Sequence, residues 1–139
     1  MKNPSVFILS LCAVAMLSAC SNSNETPAGA AKDFFASTES ADLDKFTSHL
    51  DGRLKELALS KKAEVQKNLQ ESKVKIDKCG GIKNLTSTYA VSEGATSTEG
   101  YTLIEYKGEC PAEKQYLKLV KNDKAWLINE AGPNIKVSP

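Results

Sequence analysis

Apolar residues are distributed along this chain in three ways: as a run before residue 20, at helical spacing from residue 26, and in alternation from residue 74. Thr26-Pro27 is a helix opening, because a threonine side chain caps free backbone N–H groups and proline is tolerated in the first turn. Ala30, Ala31, Phe34 and Phe35 then share one face, which predicts a helix to about Ser37. Ser40 restarts the pattern, and Leu43, Phe46 and Leu50 mark a second helix that Gly52 interrupts. From Arg53 a third, longer segment sets Leu54, Leu57, Ala58, Val65 and Leu69 on one side and lysines and acids on the other.

After Lys73 the period drops to two. Val74 and Ile76 alternate with Lys75 and Asp77, so the sheet is expected to begin there, with Gly80-Gly81 breaking the strand. Four further strands are predicted at 84–91, 101–107, 114–121 and 125–129. A polar loop over 92–100, a second loop at 108–111 and a tight turn at Asn122-Asp123 separate them. N-terminal helices followed by about five antiparallel strands make an α+β domain, with the long helix covering one face of the sheet. The expected domain runs over residues 26–130, and 131–139 form a tail without a pattern.

The segment before Cys20 has a basic start at Lys2, an apolar stretch from Val6 to Leu17, and the small residues Ser18 and Ala19. That is the layout of a secretory signal peptide over residues 1–19, and it falls short of the roughly 20 apolar residues of a transmembrane span. Leu17-Ser18-Ala19-Cys20 resembles the lipobox of bacterial lipoproteins. The resemblance implies that the Cys20 thiol receives diacylglycerol and becomes the first residue of the mature chain. Each long acyl chain contributes on the order of 10 kcal/mol of partitioning, so the membrane is the expected partner of the N-terminus. Ser21 follows the cysteine where a sorting aspartate is absent, which by the same resemblance favours the outer membrane, facing the periplasm. The polar stretch 20–25 reads as the lipidated cysteine and a flexible tether.

Of the four cysteines, Cys12 then leaves with the leader and Cys20 carries lipid, so Cys79 and Cys110 remain. In an oxidising compartment two such thiols are expected to form a disulfide. The competing reading, a redox or metal site, finds no CxxC and a single histidine, His49. Charge argues against one class of partner. Once Lys2 is subtracted from the 18 Lys+Arg, the basic residues equal the 17 Asp+Glu, which leaves no electrostatic footprint for nucleic acid.

The order of helices then strands, the Gly80-Gly81-Ile82 turn, and the closing Leu117-x-Leu119-Val120-Lys121 and Trp126-x-Ile128 hairpin together resemble a known group. They are similar to small bacterial lipoproteins of unknown function whose domain is nuclear transport factor 2-like, also called cystatin-like. The resemblance implies a curved, cone-like sheet around the long helix, with a pocket at the open end. Phe34, Phe35, Tyr89 and Trp126 are the candidate pocket lining. No catalytic residue, metal ligand or cofactor follows from it.

His49 is a candidate general base by residue type, set against the plainer role of a half-exposed residue at a helix end. Asp77 invites comparison with a carboxylate base, but alternation with Ile76 turns it toward water. Tyr101 and Tyr106 have opposite parity in one strand, so only one of them can face inward. Phosphate-loop, dinucleotide, calcium-loop and HExxH motifs are absent. The sequence therefore leads to a membrane-anchored, non-enzymatic envelope lipoprotein that binds a partner protein or small apolar ligand. The alternative is a small enzyme working in the cone on a lipid or cell-wall fragment.

Overall fold

The computed structural model describes residues 23–137, so Cys20, the leader and the last two residues lie outside the described residues. A 3₁₀ turn at Ser23–Glu25 leads into four helices: α1 (Pro27–Glu39), α2 (Leu43–Ser48), α3 (Gly52–Ser60) and α4 (Lys62–Lys78). Four strands follow: β1 (Ile82–Tyr89), β2 (Ser97–Tyr106), β3 (Glu113–Asn122) and β4 (Ala125–Lys136). They form one antiparallel sheet in the order β1-β2-β3-β4, and the helices lie against one face of it.

Each early helix begins at a capping side chain. Thr26 accepts from Gly29 N at 3.1 Å, Asp42 from Lys45 N at 3.1 Å, and Asp51 from Leu54 N at 3.0 Å. The α1 stripe is buried as its spacing predicts, with Ala30 and Ala31 almost wholly covered and Phe34 and Phe35 beside them. Those alanines let the backbone come close, and α1 packs on the sheet against β1 and β4, with α3 adding contacts to β4.

The long helix was expected on the sheet, but α4 packs on α1, α2 and α3 instead. Its surface explains this, because among its residues only Leu69 and Ile76 are fully buried. The segment expected to run as one long helix from Arg53 is broken at Lys61, whose φ of −121° and ψ of 40° are not helical. The expected first strand at 74–77 belongs to α4, so the sheet has four strands rather than about five. Leu69 and Ile76, seven residues apart, share a helical face, while Val74 is exposed. The polar Ser72 between them disguised the helical period. Residues 131–136, read as part of a tail, continue β4.

Helix α4 ends in a glycine turn. Gly80 N donates to Asp77 O and Gly81 N to Ile76 O at 2.9 Å, with φ of 81° and 89° at the two glycines. Gly80 also faces Gly108, whose N would lie 3.0 Å from an added Cβ. This close approach is sealed by the disulfide between Cys79 and Cys110, with Cα atoms 5.4 Å apart.

Alternation in the sheet decides which side chains enter the core. Thr102, Ile104 and Tyr106 of β2, Leu117 and Leu119 of β3, and Trp126 and Ile128 of β4 are buried under the helices. Tyr101 lies on the opposite face, where its ring meets Tyr116 edge-on at 5.8 Å. Burying Leu117, Leu119 and Ile128 contributes about 1.5–3 kcal/mol each. Register shifts at Gln115/Leu117 and Lys118/Leu119 bend the β3–β4 pair. The helical layer is latched to β4 by main chain: Ile128 N donates to His49 O at 2.8 Å and Asp51 N to Ile128 O at 2.9 Å. The Asn129 amide also donates to the Asp51 carboxylate.

Candidate functional site

Because α4 meets the sheet only near its C-terminal end, where Lys75 reaches Glu113, while α1 lies on it, a space is left between them. It is a cavity of about 530 Å³. Phe34 and Phe35 from α1, Phe46 from α2, Leu54 and Ala58 from α3, and Val65, Leu69 and Ile76 from α4 form its helical wall. Ile82, Ile104 and Ile128 form the floor on the sheet. The exposed residues Leu57, Lys61, Glu64 and Asn68 border it on one side and Ala131 and Asn134 on the other, so it opens between the α3–α4 junction and the end of β4.

One end is polar. Glu113 is 3% exposed yet carries a carboxylate, and three side chains converge on it. Lys75 Nζ donates to Oε1 at 2.5 Å, while the Tyr106 hydroxyl and Asn134 Nδ2 donate to Oε2 at 2.9 and 3.1 Å. Burial alone would raise the Glu113 pKa. The hydrogen bonds from Lys75, Tyr106 and Asn134 and the charge of Lys75 outweigh it, and the carboxyl is held below its ordinary value. The tyrosine responds in the opposite sense: burial, the bond to Glu113 and its negative charge all push the Tyr106 phenol up. Lys75 and Tyr106 border both the cavity and a second concavity of about 400 Å³ beside the disulfide, so this cluster separates the two. Gln115 completes the polar end, its Nε2 donating to Gly132 O at 3.1 Å.

Among the candidate lining residues, Phe34 and Phe35 border the cavity, with rings 5.3 Å apart, and Phe46 joins them at 5.2 Å from Phe34. Tyr89 and Trp126 do not border it. The Tyr89 hydroxyl bonds Thr102 Oγ1 at 2.8 Å, and Trp126 is buried in the core. His49 caps the C-terminus of α2 outside the cavity. Its burial lowers the imidazole pKa, opposed by Asp33. Asp77 is exposed and pairs with Lys73 at 2.6 Å, a solvated charge as expected, although on a helix. Among the described residues no group of His, Cys, Asp and Glu is arranged to hold a metal ion, and no helix is long and apolar enough to cross a membrane.

Sequence reading missed Glu113, Tyr106, Lys75, Gln115 and Asn134 as a site. A signal was present in β3, where Glu113 and Gln115 share the inward parity of Leu117 and Leu119. A charge at an inward position asks for buried partners.

No protein-family model matches the chain, and no curated protein is similar enough to count as a match. Among solved structures, the fold is similar to the solution structure of a SEC-C motif containing protein from Rhodopseudomonas palustris. The TM-score is 0.51 at 12% sequence identity, covering 87% of this chain and 88% of that one. At that identity the likeness concerns the fold alone.

Proposed function

We propose that this protein is a lipid-anchored component of the bacterial envelope that binds a small apolar ligand inside its domain, without catalysing a reaction. The observation that carries the binding reading is the cavity of about 530 Å³, with apolar walls and a few polar groups gathered at one end. Its size lies within the roughly 300–1,000 Å³ typical of small-molecule sites, and such sites combine apolar walls with a few orienting groups. The anchoring part rests on the lipobox-like Leu17-Ser18-Ala19-Cys20 and on the disulfide, which suits an oxidising compartment. The nuclear transport factor 2-like resemblance remains part of this proposal, supported by helices gathered on one face of a bent antiparallel sheet.

A binding role fits the polar cluster better than an enzymatic one. Glu113 already accepts from three donors and is held ionised, so using it as a base would require those bonds to break. His49, the candidate general base, lies outside the cavity.

Native mass spectrometry of the protein extracted from its own envelope tests the binding reading. A small molecule should travel with the wild type and be lost from Leu54→Trp, which fills the cavity. Retention by that variant, or no adduct on either protein, would count against it. Incorporation of labelled palmitate, lost in Cys20→Ser, tests the anchor. An envelope-lipid or cell-wall hydrolysis that disappears in His49→Ala would overturn the non-enzymatic part.

A further inference from the structure

The ammonium group at the polar end of the cavity is already paired. Lys75 lies against the buried Glu113 carboxylate at 2.5 Å, while Lys61 and Glu64, of opposite charge, both border the mouth. A ligand anion arriving at Lys75 would therefore meet a fixed carboxylate on the far side of the same ammonium group. Glu113 borders the second concavity and not this one, so a ligand cation in the cavity would meet Lys75 first. What the polar end retains is neutral hydrogen-bonding capacity. Lys75 uses one of three N–H groups on Glu113, the Tyr106 oxygen can still accept, and the side-chain carbonyls of Asn134 and Gln115 are acceptors. Ser72 adds a hydroxyl on the same wall.

Resting on the binding reading above, we infer that the ligand is a single-chain lipid with an uncharged, hydroxyl-bearing head. Its chain lies among Phe34, Phe46, Leu50, Leu54, Ile104 and Ile128, and its hydroxyls meet Tyr106, Gln115, Asn134 and Lys75. A fatty acid of the same length fits the apolar wall equally well, but its carboxylate would shed water for an ammonium whose charge Glu113 already offsets, so its desolvation is poorly repaid. The head group is therefore selected by a charge the protein has already neutralised.

The test uses the full chain held in phosphatidylcholine nanodiscs, with two photoreactive probes: a diazirine-bearing monoacylglycerol and the matched fatty acid, at a pH where the acid is ionised. Labelled peptides are mapped by mass spectrometry. The monoacylglycerol is expected to label peptides containing Phe34, Phe46 and Leu54 about tenfold more than the acid at equal membrane concentration. Glu113→Gln removes the charge that offsets Lys75 and leaves the ammonium free to pair with a ligand carboxylate, so the acid should then label at least as strongly as the monoacylglycerol. Lys75→Met leaves the carboxylate uncompensated and should suppress the acid further, which keeps the test open should Glu113→Gln fail to fold. Equal labelling by both probes of the wild type, or a preference for the acid, overturns the head-group inference while leaving an apolar binding cavity. A preference unchanged in Glu113→Gln overturns it as well. If neither probe labels the cavity peptides, the binding reading itself fails.

Discussion

Breaking the Cys79–Cys110 bond releases a loop closed over a sequence separation of 31 residues. Chain-entropy arithmetic for a loop of that length gives about 4 kcal/mol of stabilisation at 25 °C, acting through the unfolded chain. Native contacts change little, because Gly108 N still donates to Cys79 O at 2.8 Å and the glycine turn still ends α4. For a domain of this size, about 4 kcal/mol corresponds to a drop of roughly 10–20 °C in Tm. The assay is urea unfolding followed by the fluorescence of Trp126, which is 3% exposed and reports on the core, with and without reductant. Reduction should lower the midpoint and raise the denaturant slope, since the uncrosslinked unfolded chain exposes more surface. The double variant Cys79→Ala with Cys110→Ala should behave like the reduced protein. A midpoint insensitive to reduction, in protein whose disulfide is confirmed by mass mapping, would refute the loop-entropy reasoning.

Other predictions follow from the core and the buried charges. Glu113→Ala strips Lys75, Tyr106 and Asn134 of their acceptor and should cost about 2–4 kcal/mol in the same urea assay, against well under 1 kcal/mol for the exposed Asp77→Ala. Ile128→Ala empties a fully buried site where sheet, α2 and α3 meet and should cost about 2–5 kcal/mol. Gly100→Ala places a Cβ 2.1 Å from Thr88 O across the β1–β2 pair, so it should destabilise by at least about 2 kcal/mol, whereas Gly52→Ala, with open space around it, should not. Burial lowers the His49 pKa below 6.5 despite Asp33, so the unfolded chain takes up the proton first as pH falls. The stability contributed by neutral His49 is complete above pH 6.5 and is lost as pH drops through the lower folded value. Urea midpoints for His49→Gln should therefore vary less with pH across that window, and an unaltered slope would contradict the assignment.

How much of this was legible depends on what each residue reports. Capping residues and alanine-aromatic stripes act locally, which is why Thr26 and the α1 face were readable from order alone. The alternation of Tyr101 and Tyr106 was readable for the same reason, one ring exposed and the other buried. Val74 and Ile76 misled because a short run of alternating residues fits two periods, and the arbiter is a face shared with Leu69 seven residues earlier. The cavity depends on which helix reaches the sheet, a tertiary outcome governed by the small volume of Ala30 and Ala31. Tyr89 and Trp126 were placed by residue type, and type does not say which end of a sheet is left open. Glu113 was legible only once β3 was started one residue earlier than the apolar pattern suggested.

The strands join nearest neighbours in chain order, whereas α1 rests on both the first strand and β4, the last strand made. A ribosome delivers α1 and β4 at opposite ends of its work. The meander can zip up from short-range pairings, yet Phe34, Ala31 and Ala30 have only the β1 side of their floor until Ile128 arrives. Nascent chains stopped short of Ala125 should therefore display a greasy N-terminal helix to any chaperone within reach, and a stop codon near the end should be as damaging as one in the middle.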